Sequence, residues 1–228
     1  LVFFSDFHWD RGSLVMARAV EEFINSADAD VVIFGGDLAA HSCHIDEAMA
    51  FLGRLRARKR KLAVLGNWDK RWRRWMPFSE WRRACEEAGF ELLVNQWTRV
   101  DGLLVYGFDD RKLGLPGITP PPFDGDFRLA VSHNPDAIPE ADPAEMDKVG
   151  LSLCGHTHGG QVRIPFFGAL KTSSDYWKRL EYGHYTNSAC GANLIVSSGV
   201  GHTLFPIRIF CPPEVIVLKF TGKSDFQR

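Results

Sequence analysis

Leu-Ser-Leu-Cys-Gly-His-Thr-His-Gly-Gly-Gln, residues 151–161, is the stretch on which the reading of the whole chain turns. Leu151–Cys154 is apolar and reads as a buried strand. Immediately beyond it come His156 and His158, two neutral nitrogen ligands separated by one residue, with Gly155, Gly159 and Gly160 beside them. Glycine lets the backbone turn sharply and leaves room next to a ligand, so both imidazoles can be brought to one polar point. Taken alone, the heptad also fits two surface histidines in a flexible turn. It reads as a metal site because other short ligand clusters follow the same rule, each just past an apolar run.

Upstream, Leu1–Phe4 is a strand ending at Ser5-Asp6-Phe7-His8, and Val31–Phe34 is a second ending at Gly35-Gly36-Asp37. Leu62–Leu65 is a third, ending at Gly66-Asn67-Trp68-Asp69. Between them, Ser13 is placed to cap a helix with the stripe Met16, Val20, Phe23, Ile24 and Ala27, and Asp46 to cap one carrying Met49, Leu52 and Leu55 inward. Strand alternating with helix implies right-handed crossovers, a parallel sheet, and functional groups at its carboxyl edge. A third helix runs from Ser79 to Ala88. Phe90–Val94, Leu103–Tyr106, Leu129–Ser132, Leu151–Cys154, Leu194–Ser197 and Val215–Phe220 are then six further strand candidates. This order suggests two packed sheets with helices outside, in one domain spanning 1–228. Phe166–Cys190 shows no clean period and reads as a long loop near the histidines.

The 228 residues carry 27 basic and 28 acidic side chains, so nothing global points to nucleic acid. Residues 54–83 nevertheless hold twelve Arg or Lys against two acids, which predicts a locally positive face. Cysteines 43, 85, 154, 190 and 211 are odd in number and scattered without a Cys-x-x-Cys pair, as expected of buried thiols in a reduced compartment. No apolar run reaches the ~18 residues of a spanning helix. The chain opens inside a strand-like run with no methionine, so the reading is cytoplasmic, or peripheral at the cytoplasmic membrane with an anchor preceding Leu1. Phosphate-loop, dinucleotide and serine-elbow patterns are absent.

Five strand-end stations carry ligands: Asp6 with His8, Asp37, Asn67 with Asp69, His133, and His156 with His158. Seven of these residues (Asp6, His8, Asp37, Asn67, His133, His156 and His158) exceed what one ion needs, and two ions bridged by a carboxylate would use them all. Asp37, on a central strand between the two sets, is the natural bridge. Oxygen and nitrogen ligands without thiolate suit Mn²⁺, Fe or Zn²⁺, and less well Mg²⁺.

This ordered set resembles the calcineurin-like metallophosphoesterase superfamily, with its Asp-x-His, Gly-Asp, Gly-Asn-His-Asp/Glu, lone His and Gly-His-x-His pattern. The closing Ser-Gly-Val-Gly (198–201), Pro-Ile-Arg (206–208) and Pro-Pro-Glu-Val (212–215) are similar to a branch of often membrane-tethered bacterial phosphohydrolases. The resemblance implies a four-layer α/β/β/α sandwich. It also implies one ion held by Asp6, His8, Asp37 and His158, another by Asp37, Asn67, His133 and His156, and in-line attack by a bridging hydroxide. Asp37, Asn67 and His133 are then catalytic, and Asp69 orients loop groups among them.

Trp68 departs from the pattern, standing where the superfamily usually has the His that contacts phosphate or protonates the leaving group. An indole cannot supply that proton at neutral pH. The UDP-2,3-diacylglucosamine pyrophosphatases also lack His here, and a pyrophosphate needs less protonation than an alkoxide. The expected substrate is therefore a pyrophosphate or activated phosphodiester, plausible forms being lipid-linked ones. The alternatives are a general phosphodiesterase or phosphomonoesterase for soluble substrates, and a metal-binding protein without turnover. Arg71 and Arg74 are the preferred phosphate contacts, with Trp68 and His41 at the site mouth. The interleaved segment Lys70–Trp75 also suits a lipid interface, and the remaining arginines and tryptophans there read as ordinary helix surface and core.

Overall fold

The computed structural model describes residues 1–71, 76–122, 125–186 and 193–221. The first sheet is built from β1 (Val2–Phe4), β2 (Val31–Phe34), β3 (Arg60–Ala63) and β4 (Glu91–Leu92) in that order, all parallel. The second contains β5 (Gln96–Val100), β6 (Leu103–Gly107), β7 (Phe127–Ser132) and β8 (Leu151–Cys154). A small hairpin of β9 (Arg163–Ile164) and β10 (Gly168–Ala169) follows. β11 (Gly183–Tyr185) and β12 (Leu194–Val196) return to the second sheet, whose order is β11-β12-β8-β7-β6-β5 with antiparallel edges. β13 (Ile216–Val217) closes the first sheet antiparallel to β1.

Side-chain alternation sorts each strand into two cores. Phe3, Ile33 and Leu62 meet Val105, Leu129, Val131 and Leu153 from the facing sheet in one dry layer. Their neighbours point the other way. Val2, Phe4, Val32 and Phe34 pack under α1 (Leu14–Ser26) and α2 (Ile45–Arg54), with Trp81 and Cys85 of a further helix. On the far side, Tyr106, Ala130, Cys154 and Val196 are covered by Ile138, Met146 and Leu180. α3 (Asn67–Arg71) and α4 (Phe78–Glu87) complete the helices of the first half, α5 (Ala137–Glu140) and α6 (Pro143–Met146) those of the second. The layers are α/β/β/α, as the resemblance implied.

Several expected details shift. The buried face of α1 is Ala17, Val20 and Ile24, while Phe23 is exposed. The Ser13 hydroxyl donates to Asp10 and caps nothing. Asp46 sits in the first turn of α2, where its charge favours the dipole, and not at the cap. β5 is missing from the sequence reading because Gln-Trp-Thr-Arg-Val is an edge strand with one face in water, too polar to register as an apolar run. Of Phe166–Cys190, expected as loop, residues 166–186 hold the end of the β9–β10 hairpin, a 3-10 turn (Trp177–Leu180) and β11, and 187–190 lie outside the described residues.

Candidate metal centre

All five ligand-bearing stations lie at carboxyl ends of parallel strands, three from the first sheet and two from the second. Face-to-face packing of the sheets thus brings residues 150 positions apart into contact. Five of the ligand candidates hold their backbone in the left-handed region: Asp6 at φ 56°, His8 at 48°, Asp37 at 60°, His156 at 70° and His158 at 51°. A non-glycine residue there costs on the order of 1–3 kcal/mol and persists where surrounding bonds over-determine it. Here those bonds include Asp6 N–H to Gly36, His8 N–H to Asp37 and Gly155 N–H to His133 carbonyls, at 2.9–3.1 Å. The effect is to swing each side chain off its strand and into a common polar pocket.

Two groups of ligand atoms result. Asp6, His8 and His158 form one, and Asp37, His133 and His156 the other, each with its atoms within 4.8 Å of one another. His8 and His158 face each other through their Nε2 atoms at 3.0 Å, and His158 Nε2 lies 3.4 Å from Asp6 Oδ1. His156 Nδ1 lies 3.2 Å from His133 Nε2. Asp37 Oδ2 stands between the groups, 3.4 Å from His8 Nε2 and 3.2 Å from His133 Nε2. Ligands held ~2.1 Å from a single ion are about 3–3.5 Å apart, so this spacing is that of ligand sets. The Asn67 Oδ1 atom is buried with no protein partner, as an atom reserved for a cation would be.

The surrounding bonds orient the ligands. His133 Nδ1 donates to the Gly35 carbonyl at 2.9 Å, which leaves Nε2 turned toward Asp37. Asp6 accepts from Ser5 Oγ at 2.5 Å and from the His156 N–H at 3.0 Å, tying the first station to the last. Asp69 accepts the N–H groups of Asp37, Leu38 and Gly66, each at 2.8 Å, and so clamps the second and third stations together. Gly66 must be glycine, because a Cβ there would come 2.1 Å from Asp37 Oδ1.

Burial sets the charges. It holds His8 down at about 4 and pushes His156 and His158 well below the ordinary imidazole range, so these rings are neutral and able to ligate. Burial also lifts Asp6 to about 6 and, together with the Asp37 charge, Asp69 to about 7. Asp37 resists burial because His133 and His8 face it, and its carboxyl stays well below the usual range. The same attraction outweighs burial at His133 and raises it to about 10. A cation entering beside Asp37 would take the place of that proton.

Trp68 is half-buried at the rim, its ring edge-on to His8 at 5.1 Å, and its N–H backbone group donates to Asp37 Oδ1 at 2.8 Å. The Arg71 guanidinium lies over that indole, 4.4 Å from the ring centroid. Arg74, with Trp72 and Trp75, lies outside the described residues. His41 is exposed beside His44 and belongs to neither ligand group. In the sequence Arg208 reads as a structural residue of the closing Pro-Ile-Arg motif and Cys211 as a buried thiol. Both in fact brace His158: Arg208 Nη2 approaches its Nδ1 at 3.5 Å, and Cys211 Sγ donates to its carbonyl at 3.2 Å. Arg208 also donates to the carbonyls of Ser198, Gly199 and Gly201, which fixes the loop after β12. The only sequence signal for this was a cation inside a proline- and glycine-rich closing segment.

Over 236 residues the chain is 30% identical to the uncharacterized metallophosphoesterase YkuE of Bacillus subtilis, covering 98% of this chain and 79% of that protein. It is 28% identical to phosphodiesterase YaeI of Escherichia coli, covering 96% and 81%. Among solved structures, phosphopantetheinyl hydrolase (PptH) of Mycobacterium tuberculosis aligns at a TM-score of 0.47 and 14% identity, over 86% of this chain and 87% of that one. Residues 1–160 match the family Metallophos, calcineurin-like phosphoesterase. With that match spanning every ligand station, the chain belongs to the calcineurin-like metallophosphoesterases.

Proposed function

We propose that residues 1–228 form a single catalytic domain that hydrolyses a phosphodiester or pyrophosphate bond with two divalent ions. One ion is held by Asp6, His8, Asp37 and His158, the other by Asp37, Asn67, His133 and His156, with Mn, Fe or Zn favoured over Mg. The observation that carries this reading is the single oxygen of Asp37, placed between His8 and His133 where two ligand groups meet. Bound ions would supply an activated water and draw charge from the phosphoryl oxygens.

The chain's own residues do the rest. Asp69 and Gly66 keep the Asp37 and Asn67 loops rigid against each other. Arg71, stacked on Trp68, sets a cation at the rim where non-bridging oxygens would lie. Trp68 closes one wall and offers no acidic proton, which favours leaving groups that depart without help. That supports activated diesters and pyrophosphates, including lipid-linked ones such as UDP-2,3-diacylglucosamine, over simple monoesters. The phosphodiesterase name of the E. coli relative points the same way. A lipid substrate would bring the enzyme to a membrane surface as its partner; no described helix is long and apolar enough to cross one. Parallel turnover of bis-p-nitrophenyl phosphate, p-nitrophenyl phosphate and UDP-2,3-diacylglucosamine tests this. Diester or pyrophosphate turnover well above monoester turnover is expected, and preferential monoester hydrolysis, or none of the three, rejects it.

A further inference from the structure

Near the metal centre the surface turns from polar to apolar. Phe166, Leu204, Phe205 and Phe210 are 110%, 87%, 68% and 71% exposed, and Phe167 is 57% exposed. Ile164, Ile207 and Ile209 add to the same surface. The pieces are joined. Val162 pairs with Ile209, and the Arg163 N–H donates to the Ile209 carbonyl at 2.9 Å. Phe210 lines one cavity with Ile164, Phe166 and Phe167. The Gln161 amide binds the carbonyl of Thr203 at 3.2 Å and reaches those of Phe205 and Ile207 at 3.5 Å, tying the second loop to the end of the histidine heptad. At ~200 Å² per aromatic side chain, the four phenylalanines alone expose on the order of 600 Å², the upper end of the largest patch on a typical monomer.

A second observation is independent of area. Phe166, Trp177, Leu204 and Phe210 have φ values of 66°, 54°, 62° and 49°, the left-handed region that glycine or asparagine occupies at low cost. In water a bulky apolar residue at such a turn loses twice, by strain and by exposure. Its use at four separate turns makes sense when the tips enter an apolar phase. Charge adds a third point. Lys178 sits on the Phe167 ring, 3.0 Å from its centroid, and donates to the Phe167 carbonyl. Lys171, Lys178 and Arg179 have no ion-pair partner among the described residues, whereas the acids of the same stretch, Asp175 and Glu181, are taken up by Arg111 and Arg163. Protruding apolar tips, with Lys178 against one of them and Lys171 and Arg179 in the same stretch of chain, match the apolar interior and anionic headgroups of a bilayer better than they match a flat protein face.

We propose that the tips at 164–167 and 204–210 insert into an anionic phospholipid surface and set the metal centre facing it. This rests on the membrane partner proposed above and places the contact on the second half of the chain, not on the tryptophans after Asp69. The test is co-sedimentation of the full chain with vesicles of phosphatidylcholine alone or mixed with phosphatidylglycerol. The parent protein should bind the mixed vesicles, and F166S/F210S and L204S/F205S should each bind at least ten-fold more weakly. K171E/K178E/R179E should lose the preference for phosphatidylglycerol. All three variants should keep their metal content and hydrolysis of bis-p-nitrophenyl phosphate. Parent protein that binds neither vesicle overturns both this surface and the membrane reading. Binding lost only in W72A/W75A overturns this surface and leaves the membrane reading standing. Patch variants that lose self-association in sedimentation velocity, with vesicle binding unchanged, make the patch a protein interface and also overturn it.

Discussion

Asp69 touches no candidate ligand atom directly, yet the geometry makes it the hinge pin of the centre, and substituting it gives a graded test. Its Oδ2 accepts from Asp37 and Gly66 and its Oδ1 from Leu38, all in a dry setting. In Asp69→Asn the amide oxygen can keep the first two bonds, while the amide nitrogen is left facing the Leu38 N–H. A buried bond to a charged group is worth about 1.5–3 kcal/mol. Burial and the Asp37 charge already lift this carboxyl to about 7, so ionising it is not free and the loss belongs at the lower end. About 2 kcal/mol is expected for Asp69→Asn. Asp69→Ala strands three buried donors at roughly 1–3 kcal/mol each, a total comparable with the ~5–15 kcal/mol that holds a domain together. Urea unfolding of the metal-free proteins, followed by tryptophan fluorescence, measures the loss, and metal titration of the folded variants measures how far the Asp37 and Asn67 loops have loosened. Both variants within ~0.5 kcal/mol of the parent, with two ions bound at unchanged affinity, would show that the clamp is not what positions the centre.

Four further outcomes are expected. Asp37→Ala should leave less than one ion per chain by elemental analysis, and Asp6→Ala about one, with the larger loss of kcat/KM in the former; equal, small losses would remove the bridging assignment. Arg71→Ala should lower kcat/KM roughly 10- to 100-fold with metal content intact, and a change confined to metal binding would contradict a phosphate contact. Metal affinity should weaken as pH falls through about 6: burial, partly offset by His133, raises Asp6 to about 6, so its proton competes with the ion below that pH and not above it. Titrations at pH 5.5 and 7.5 giving the same affinity would contradict this. Trp68→His should flatten the dependence of rate on leaving-group pKa across aryl phosphodiesters, since a well-placed general acid is worth roughly 10²–10⁴-fold. A parent plot already as flat as the variant's would mean that another group donates the proton.

Strand-end stations were legible in the sequence because burial writes itself into composition. β1 and β2 are covered on both faces and apolar throughout, β8 is apolar but for the buried Ser152, and the abrupt change to Asp, His or Asn marks their ends. The same logic explains what was lost. β5 has one face in water, and β9, β10 and β11 are only two or three residues long, so none of the four stood out as a strand. Amphipathic and very short elements carry weak patterns, and their identity comes from the neighbours that cover them.

The sequence by itself determined the candidate ligand types, their order, and the two-sheet architecture, because these depend on residue chemistry and on local hydrophobic runs. Only the tertiary structure decided which ligands meet. His8 reaches His158 across 150 positions, and one Asp37 oxygen falls between two groups drawn from both sheets. It also decided that five ligands sit at left-handed φ, that Arg208 and Cys211 stand behind His158, and that apolar turns gather beside the centre. Those facts depend on long-range packing of the two sheets, and no window of local sequence contains both partners of such a contact.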